Sequence, residues 1–157
     1  REFLWLKLKP TLDTVDLVVV GALYGKGKRA GVFGSYILAV RDETTNTYKT
    51  ITKCGTGYSD EDLETLTELF KPLQLPKPHP DVEIEIDADA HFEPKIVFEV
   101  GFEEIQRSPE EKHTSGLGLR FPRFIRIRED KRPEEATTIT EIEELYEEHQ
   151  RKKGKRA

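Results

Sequence analysis

Methionine is missing from all 157 residues, position 1 included, and cysteine occurs once, as Cys54. A chain without an initiating methionine is expected to be a piece or a processed form of a longer product, so no targeting signal can be read from its start. A single thiol cannot close an intramolecular disulfide, and cysteine-based zinc sites need several thiolates at short spacing. Stability must therefore come from packing and hydrogen bonds. No stretch approaches the ~20 apolar residues of a membrane-spanning helix, and mean hydropathy is −0.62 with 36% hydrophobic residues. These absences exclude an integral membrane protein and leave a soluble chain of about one domain. The P-loop spacing GxxxxGK[ST] and a GxGxxG opening a helix are both missing, so neither nucleotide fingerprint is present. His79, His91, His113 and His149 are too scattered to form a recognisable metal site.

Charge is plentiful but segregated. Residues 1–57 carry nine basic against five acidic groups, 58–105 three against fourteen, 106–133 eight against four, and 134–157 five against seven. Two basic blocks flanking an acidic one can fold onto a common face and give a nucleic-acid surface on a chain of net charge −5. The alternative is that the acidic block is a solvated face and the basic blocks its counter-charges.

Val15 to Leu23 (VDLVVVGAL), Ser35 to Arg41 (SYILAVR) and Thr47 to Lys53 (TYKTITK) read as strands, the first two joined by a glycine-rich hairpin. Val82 to Asp87, Lys95 to Gly101 and Arg123 to Arg128 alternate apolar and polar, as half-buried antiparallel strands require. Ser59 and Asp62 form a capping-box pattern before Leu63, Leu66, Leu69, Phe70 and Leu73, with Pro76 as the stop. Thr138 and Glu141 open a second helix whose stripe is Ile139, Ile142, Leu145, Tyr146 and His149, ending in a basic tail. The expectation is a mainly β OB-fold barrel of five or six strands with one embedded helix and a C-terminal helix. In the hairpin, Lys26, Lys28 and Arg29 can follow a phosphate backbone, because glycine lets the main chain approach closely; the alternative is a solvated loop. Cys54 is expected to be a small buried residue and Trp5 a core residue.

Three segments in order resemble the C-terminal part of an ATP-dependent DNA ligase of the archaeal and eukaryotic replicative type. They are RxxxWLKLKP at Arg1 to Pro10, running into DTVDLVVVGALYGKGKRAG; FEPKIVFEVGFEEIQRSP at Phe92 to Pro109; and GLRFPRFIRIREDKRPEEATT at Gly118 to Thr138. The first resembles that family's motif V and the third contains its motif VI, Arg128-Glu129-Asp130-Lys131. Lys7 and Lys9 would point to the same side of an extended strand. The resemblance implies that, with Arg1, they face the α-phosphate of ATP or of the covalent AMP; the alternative is a cationic strand edge. It also implies that Arg128, Asp130 and Lys131 engage the β- and γ-phosphates during enzyme adenylylation. Arg120, Arg123 and Arg126 would serve the triphosphate or the DNA, and the alternative for this group is a surface salt-bridged to the acidic stretch.

The family's nucleophilic lysine lies in KxDG, and no KxDG occurs here. By itself the chain is expected not to form lysyl–AMP. The implied division is 1–12, the end of the adenylation domain with a hinge at Lys9 to Asp13; 13–133, the OB fold; and 134–157, a helix and tail that either latches the domain boundary or covers the barrel. The implied cofactors are ATP and Mg²⁺. The implied partners are nicked duplex DNA, the adenylation and N-terminal DNA-binding domains of the same enzyme, and a sliding clamp, in an intracellular setting. Two alternatives are an mRNA-capping or RNA-ligase C-terminal domain and a stand-alone single-strand-binding OB module.

Overall fold

The computed structural model describes residues 13–25 and 31–156, with side chains described as far as Arg151. Arg1, Lys7 and Lys9, the hinge residues before Asp13, and Lys26, Lys28 and Arg29 lie outside the described residues. The sheet is built on β1 (Asp13–Tyr24), whose burial alternates at Val15, Asp16 and Leu17 and then covers both faces from Val18 to Ala22. It can be buried on both faces because it is central. Its first half pairs antiparallel with β7 (Val97–Phe102) on one edge and its second half with β2 (Phe33–Asp42) on the other, the two ladders overlapping at Val18, and the β2 ladder carries a register shift between Val19 and Gly21. β2 pairs with β3 (Thr47–Cys54), β3 meets β5 (Val82–Glu83), and β10 (Arg123–Ile127) flanks β7 on the far edge. β4 (Gln74–Leu75) and β6 (Ala90–Phe92) pair with each other, and β6 with β1, while β8 (Glu104–Arg107) and β9 (Leu117–Arg120) form a separate hairpin.

The two edges of the sheet do not share a ladder. The gap between β3 and β10 is bridged instead by loop backbone: Phe124 N–H donates to Thr56 O at 2.8 Å, and Ser115 N–H to Thr50 O at 3.1 Å. Thr114 and Thr50 exchange side-chain to main-chain bonds at 2.9 and 3.1 Å alongside. Gly57 makes the crossing feasible, because it sits at φ +100° and a Cβ there would lie 2.5 Å from Phe124 O. The result is the mainly β, OB-type barrel expected from the strand pattern.

Helix α1 (Asp60–Phe70) begins on the expected capping box, with Ser59 Oγ accepting from Asp62 N–H and Asp62 Oδ2 accepting from Ser59 N–H, both at 3.0 Å. Leu63, Leu66 and Phe70 plug the barrel, whereas Leu69 lies on the flank and is 40% exposed, a correction to the apolar face read from the sequence. The helix also stops earlier than Pro76. Pro72 has no N–H to give the preceding turn, so the chain tightens into a 3₁₀ turn over Lys71–Leu73. Helix α2 (Ile139–Arg156) starts on the Thr138–Glu141 box.

The segment Val82 to Asp87 also departs from expectation, since only Val82–Glu83 joins a ladder. Its alternation is nevertheless real: Val82, Ile84, Ile86 and Ala88 turn inward while Glu83, Glu85, Asp87 and Asp89 are exposed. The apolar set packs on Val18, Val20, Ile37, Ala39 and Val97 as a second core on the outer face of the sheet. Alternation thus reports a half-buried extended chain, with or without hydrogen-bonded neighbours. Inside the barrel, Tyr36, Phe70, Phe92, Phe98 and Phe124 form a contiguous aromatic cluster with centroid separations of 4.6 to 6.5 Å.

Two measurements check this closure. Gly57→Ala should cost roughly 2 kcal/mol or more in chemical denaturation, since both the dihedral and the backbone contact forbid a side chain. His113, in the closing loop, is 7% exposed, and burial pushes its imidazole down from 6.5 to about 4. Between those values the unfolded chain binds the proton and the folded chain does not, so stability rises with pH across the window. Lowering pH from 7 to 4 should remove at most roughly 3 kcal/mol through this group, and His113→Gln should flatten the profile there.

Candidate functional site

On the outer face of the sheet, Asp16 of β1 lies opposite Glu99 of β7, and Glu99 lies opposite Arg126 of β10. Directly opposed residues share a face, so the three side chains form one row. A bulge at Ile125, which is 44% exposed, keeps Arg123 and Arg126 on that face. Arg128 follows just beyond the strand, its N–H donating to Val97 O at 2.8 Å, and Lys131 comes round on the next turn.

The cations are held by carboxylates. Arg128 Nε and Nη2 donate to Asp130 at 3.0 and 2.9 Å, and its Nη1 donates to Asp16 Oδ1 at 3.1 Å. Lys131 Nζ donates to Asp16 Oδ2 at 2.7 Å. Three of the five guanidinium N–H groups are thus engaged and two remain. The bidentate contact with Asp130 raises the Arg128 pKa further and, from the other side, holds the Asp130 carboxyl down at about 2. Arg126 Nε meets Glu99 Oε1 at 2.7 Å.

Asp16 is the residue that sequence reasoning missed. It was legible only as the one charge inside an apolar strand, VDLVVV. Its backbone is pinned as well: Thr137 N–H donates to Asp16 O at 2.9 Å, and Asp16 N–H to Thr137 Oγ1 at 3.0 Å. Thr137 O in turn accepts from Arg41 N–H at 3.0 Å, so Thr137 wedges between β1 and β2 where their ladder ends. A groove of about 400 Å³ runs from Asp16 and Lys131 toward Glu135, Glu141, Glu144 and Glu148. Those carboxylates repel an anion from the α2 side and leave the β10 side, with Arg126 and Arg128, as its approach.

The structure therefore brings Arg126, Arg128, Asp130 and Lys131 together, with Arg123 on the same face. Arg123 is exposed and has no ion pair among the described residues. Arg120 stands apart on the β8–β9 hairpin, 3.4 Å from Glu104 and 4.9 Å from the exposed ring of Phe121. Arg120 and Arg126 pair with Glu104 and Glu99 of the acidic stretch, and Lys49 lies 2.9 Å from Asp42 and 3.9 Å from Glu83. Cys54 is buried, its thiol pushed up by desolvation, as expected of a packing residue. The α2 stripe is spent on the barrel: Tyr146 receives Arg107 at 4.6 Å, and His149 Nε2 lies 2.8 Å from Asp13 Oδ2. Among the described residues no group of three His, Cys, Asp or Glu is arranged to hold a metal ion, and no helix is long and apolar enough to cross a membrane.

Comparison with known proteins gives the same frame. The family model described as ATP dependent DNA ligase C terminal region matches residues 29–131. A DNA ligase of Methanopyrus kandleri is 47% identical over 143 residues, covering 91% of this chain and 24% of that protein. A DNA ligase of Thermococcus onnurineus is 45% identical over 152 residues, covering 97% and 25%. The chain spans about a quarter of the length of these relatives. Among solved structures, the ligase domain of M. tuberculosis LigD superposes with a TM-score of 0.64 at 23% identity, over 80% of this chain and 38% of that one, a likeness of fold. The family match over most of the described barrel, together with relatives aligned across nearly the whole sequence, places this chain in the ATP-dependent DNA ligase C-terminal-region family.

Proposed function

We propose that the chain is the OB-fold part of an ATP-dependent DNA ligase that seals nicks in duplex DNA. In this reading 1–12 close the adenylation domain, 13–133 form the barrel and 134–157 the terminal helix and tail. The observation that carries it is the convergence of Arg128 Nη1 and Lys131 Nζ on the two oxygens of one carboxylate beside exposed Arg126. Such a cluster suits a polyphosphate. Two differently shaped cations at fixed spacing can grip adjacent phosphoryl groups, and the guanidinium keeps its charge at any working pH.

The reaction transfers AMP from ATP to a lysine, then to the 5′-phosphate of the nick, and the 3′-hydroxyl finally displaces AMP. Each transfer spreads charge over non-bridging oxygens, so the protein contributes chiefly positioned cations. Arg128 and Lys131 would hold the β- and γ-phosphates and align pyrophosphate as the leaving group. Arg1, Lys7 and Lys9 would face the α-phosphate throughout. Arg120, Arg123 and Arg126, with Lys26, Lys28 and Arg29, would contact triphosphate or the DNA backbone. Magnesium would accompany the nucleotide and neutralise part of the phosphate charge. The partners in this reading are nicked duplex DNA, the adenylation and N-terminal DNA-binding domains and a sliding clamp, all inside the cell. A single-strand-binding module fits less well, because most of the described aromatic rings are packed in the core.

In the complete enzyme, Arg128→Ala should slow self-adenylylation by about 100-fold, the scale for losing one charge-stabilising donor, and leave sealing of a pre-adenylylated nick nearly unchanged. Labelled ATP and a synthetic adenylylated nick separate the two steps; equal losses would assign Arg128 to folding or DNA binding. Lys9→Ala should slow every step, since the AMP phosphate is present in all of them. Affinity for nicked duplex should fall steeply between low and physiological salt; a salt-independent affinity would contradict the phosphate-contact assignment.

A further inference from the structure

Asp16 and Asp130 hold the same guanidinium but differ in every other respect. Asp130 is 63% exposed, sits in a turn and bonds through its side chain to Arg128. Asp16 is 13% exposed, stands on the central strand, has both its N–H and its C=O bonded to Thr137, and divides its two oxygens between Arg128 and Lys131. Shifting the Asp16 backbone would break both of its main-chain bonds to Thr137, and swinging its carboxylate away would release both cations. Moving Asp130 requires only a side-chain rotation.

We propose that Asp16 is the positioning residue of the phosphate site: its fixed carboxylate sets the spacing and orientation of Arg128 and Lys131, while Asp130 occupies the Nε–Nη2 edge of Arg128 as an exchangeable stand-in that a phosphate group displaces. The inference rests on the ligase reading above and extends it to a residue outside motif VI. Geometry requires such a division. Arg128 presents Nε and Nη2 as one planar fork, and a phosphoryl group taking that fork bidentately must replace the carboxylate already there. Nη1 points to Asp16, so binding on the fork leaves that contact intact. The two remaining cationic contacts of Asp16 then keep Lys131 on the same side as the incoming anion. Without the Asp16 charge, two cations that repel each other would have no common anchor, and each would sample its own rotamers before ATP arrives.

Asp16→Asn tests the division because it keeps the size of the side chain and all the main-chain bonds to Thr137. Self-adenylylation in the complete enzyme should fall about tenfold or more, the effect expected for charge-assisted bonds reduced to neutral ones. Most of that loss should be in the ATP concentration dependence, and sealing of a pre-adenylylated nick should change by less than about twofold. In a double-mutant cycle, adding Asp16→Asn to Arg128→Ala should cost much less than it does in the wild-type background, because Asp16 acts through Arg128 and Lys131. Independent, multiplicative losses would overturn the proposal, as would equal losses in adenylylation and sealing. If Asp16→Asn melts the barrel, Thr137→Val supplies the second test, since it removes the Oγ1 anchor of Asp16 and leaves the Asp16 charge; it should shift the same ATP dependence in the same direction, and no shift would overturn the proposal. If Arg128→Ala itself leaves adenylylation unchanged, the ligase assignment of this site fails; if Arg128→Ala is defective and Asp16→Asn is not, only the positioning role fails.

Discussion

One half-buried carboxylate connects the barrel to its cationic face. Asp16 occupies an outward position of β1, where the strand leaves β2 and pairs with β7, and it accepts from Arg128 and Lys131 across more than a hundred residues of sequence. Placing an acid there is costly in an otherwise apolar strand unless its oxygens are fully partnered, and two charge-assisted bonds provide that. The consequence is reciprocal. The sheet fixes the carboxylate, and the carboxylate fixes where two cations from a surface turn can stand.

The rest of the architecture can be read as support for that position. β1 must be held on both faces, by the aromatic cluster inside and by Val82, Ile84, Ile86 and Ala88 outside, for its outward side chains to have a defined direction. Thr137 fills the splay between β1 and β2 with two main-chain hydrogen bonds and a third accepted by its Oγ1, so the segment leading to α2 also sets the floor of the site. The acidic face of α2 then restricts the approach of an anion to the side of β10, which joins the terminal helix to the electrostatics of the site without any contact to ligand.

Much of this was legible in the sequence. The long strands are dense in β-branched residues, both helices open on capping boxes whose geometry depends on two residues three apart, and the motif-bearing turn announces itself by its arginines. What was not legible has physical causes. Pro72 ends α1 because a proline in the last turn removes a donor, a local effect obscured by the later Pro76. The ladder partner of Val82 to Ala88 is set by long-range packing, and side-chain alternation is the same with or without one. The strands of two to four residues carry too few side chains for a period to be recognised. Asp16 escaped because a charge in a strand is read as an exposed position; its partners lie in a turn that only tertiary structure brings near.

The most direct measurement is the crystal structure of this chain joined to the adenylation domain proposed for it, with a non-hydrolysable ATP analogue, at a resolution that defines side chains. In that structure Asp16 should keep Arg128 and Lys131 within hydrogen-bonding distance, while Asp130 should have left the guanidinium fork and phosphate oxygens taken its place. Phosphates bound elsewhere, with the Asp130–Arg128 fork closed, would contradict the proposal, as would an Asp16 carboxylate that has released both cations.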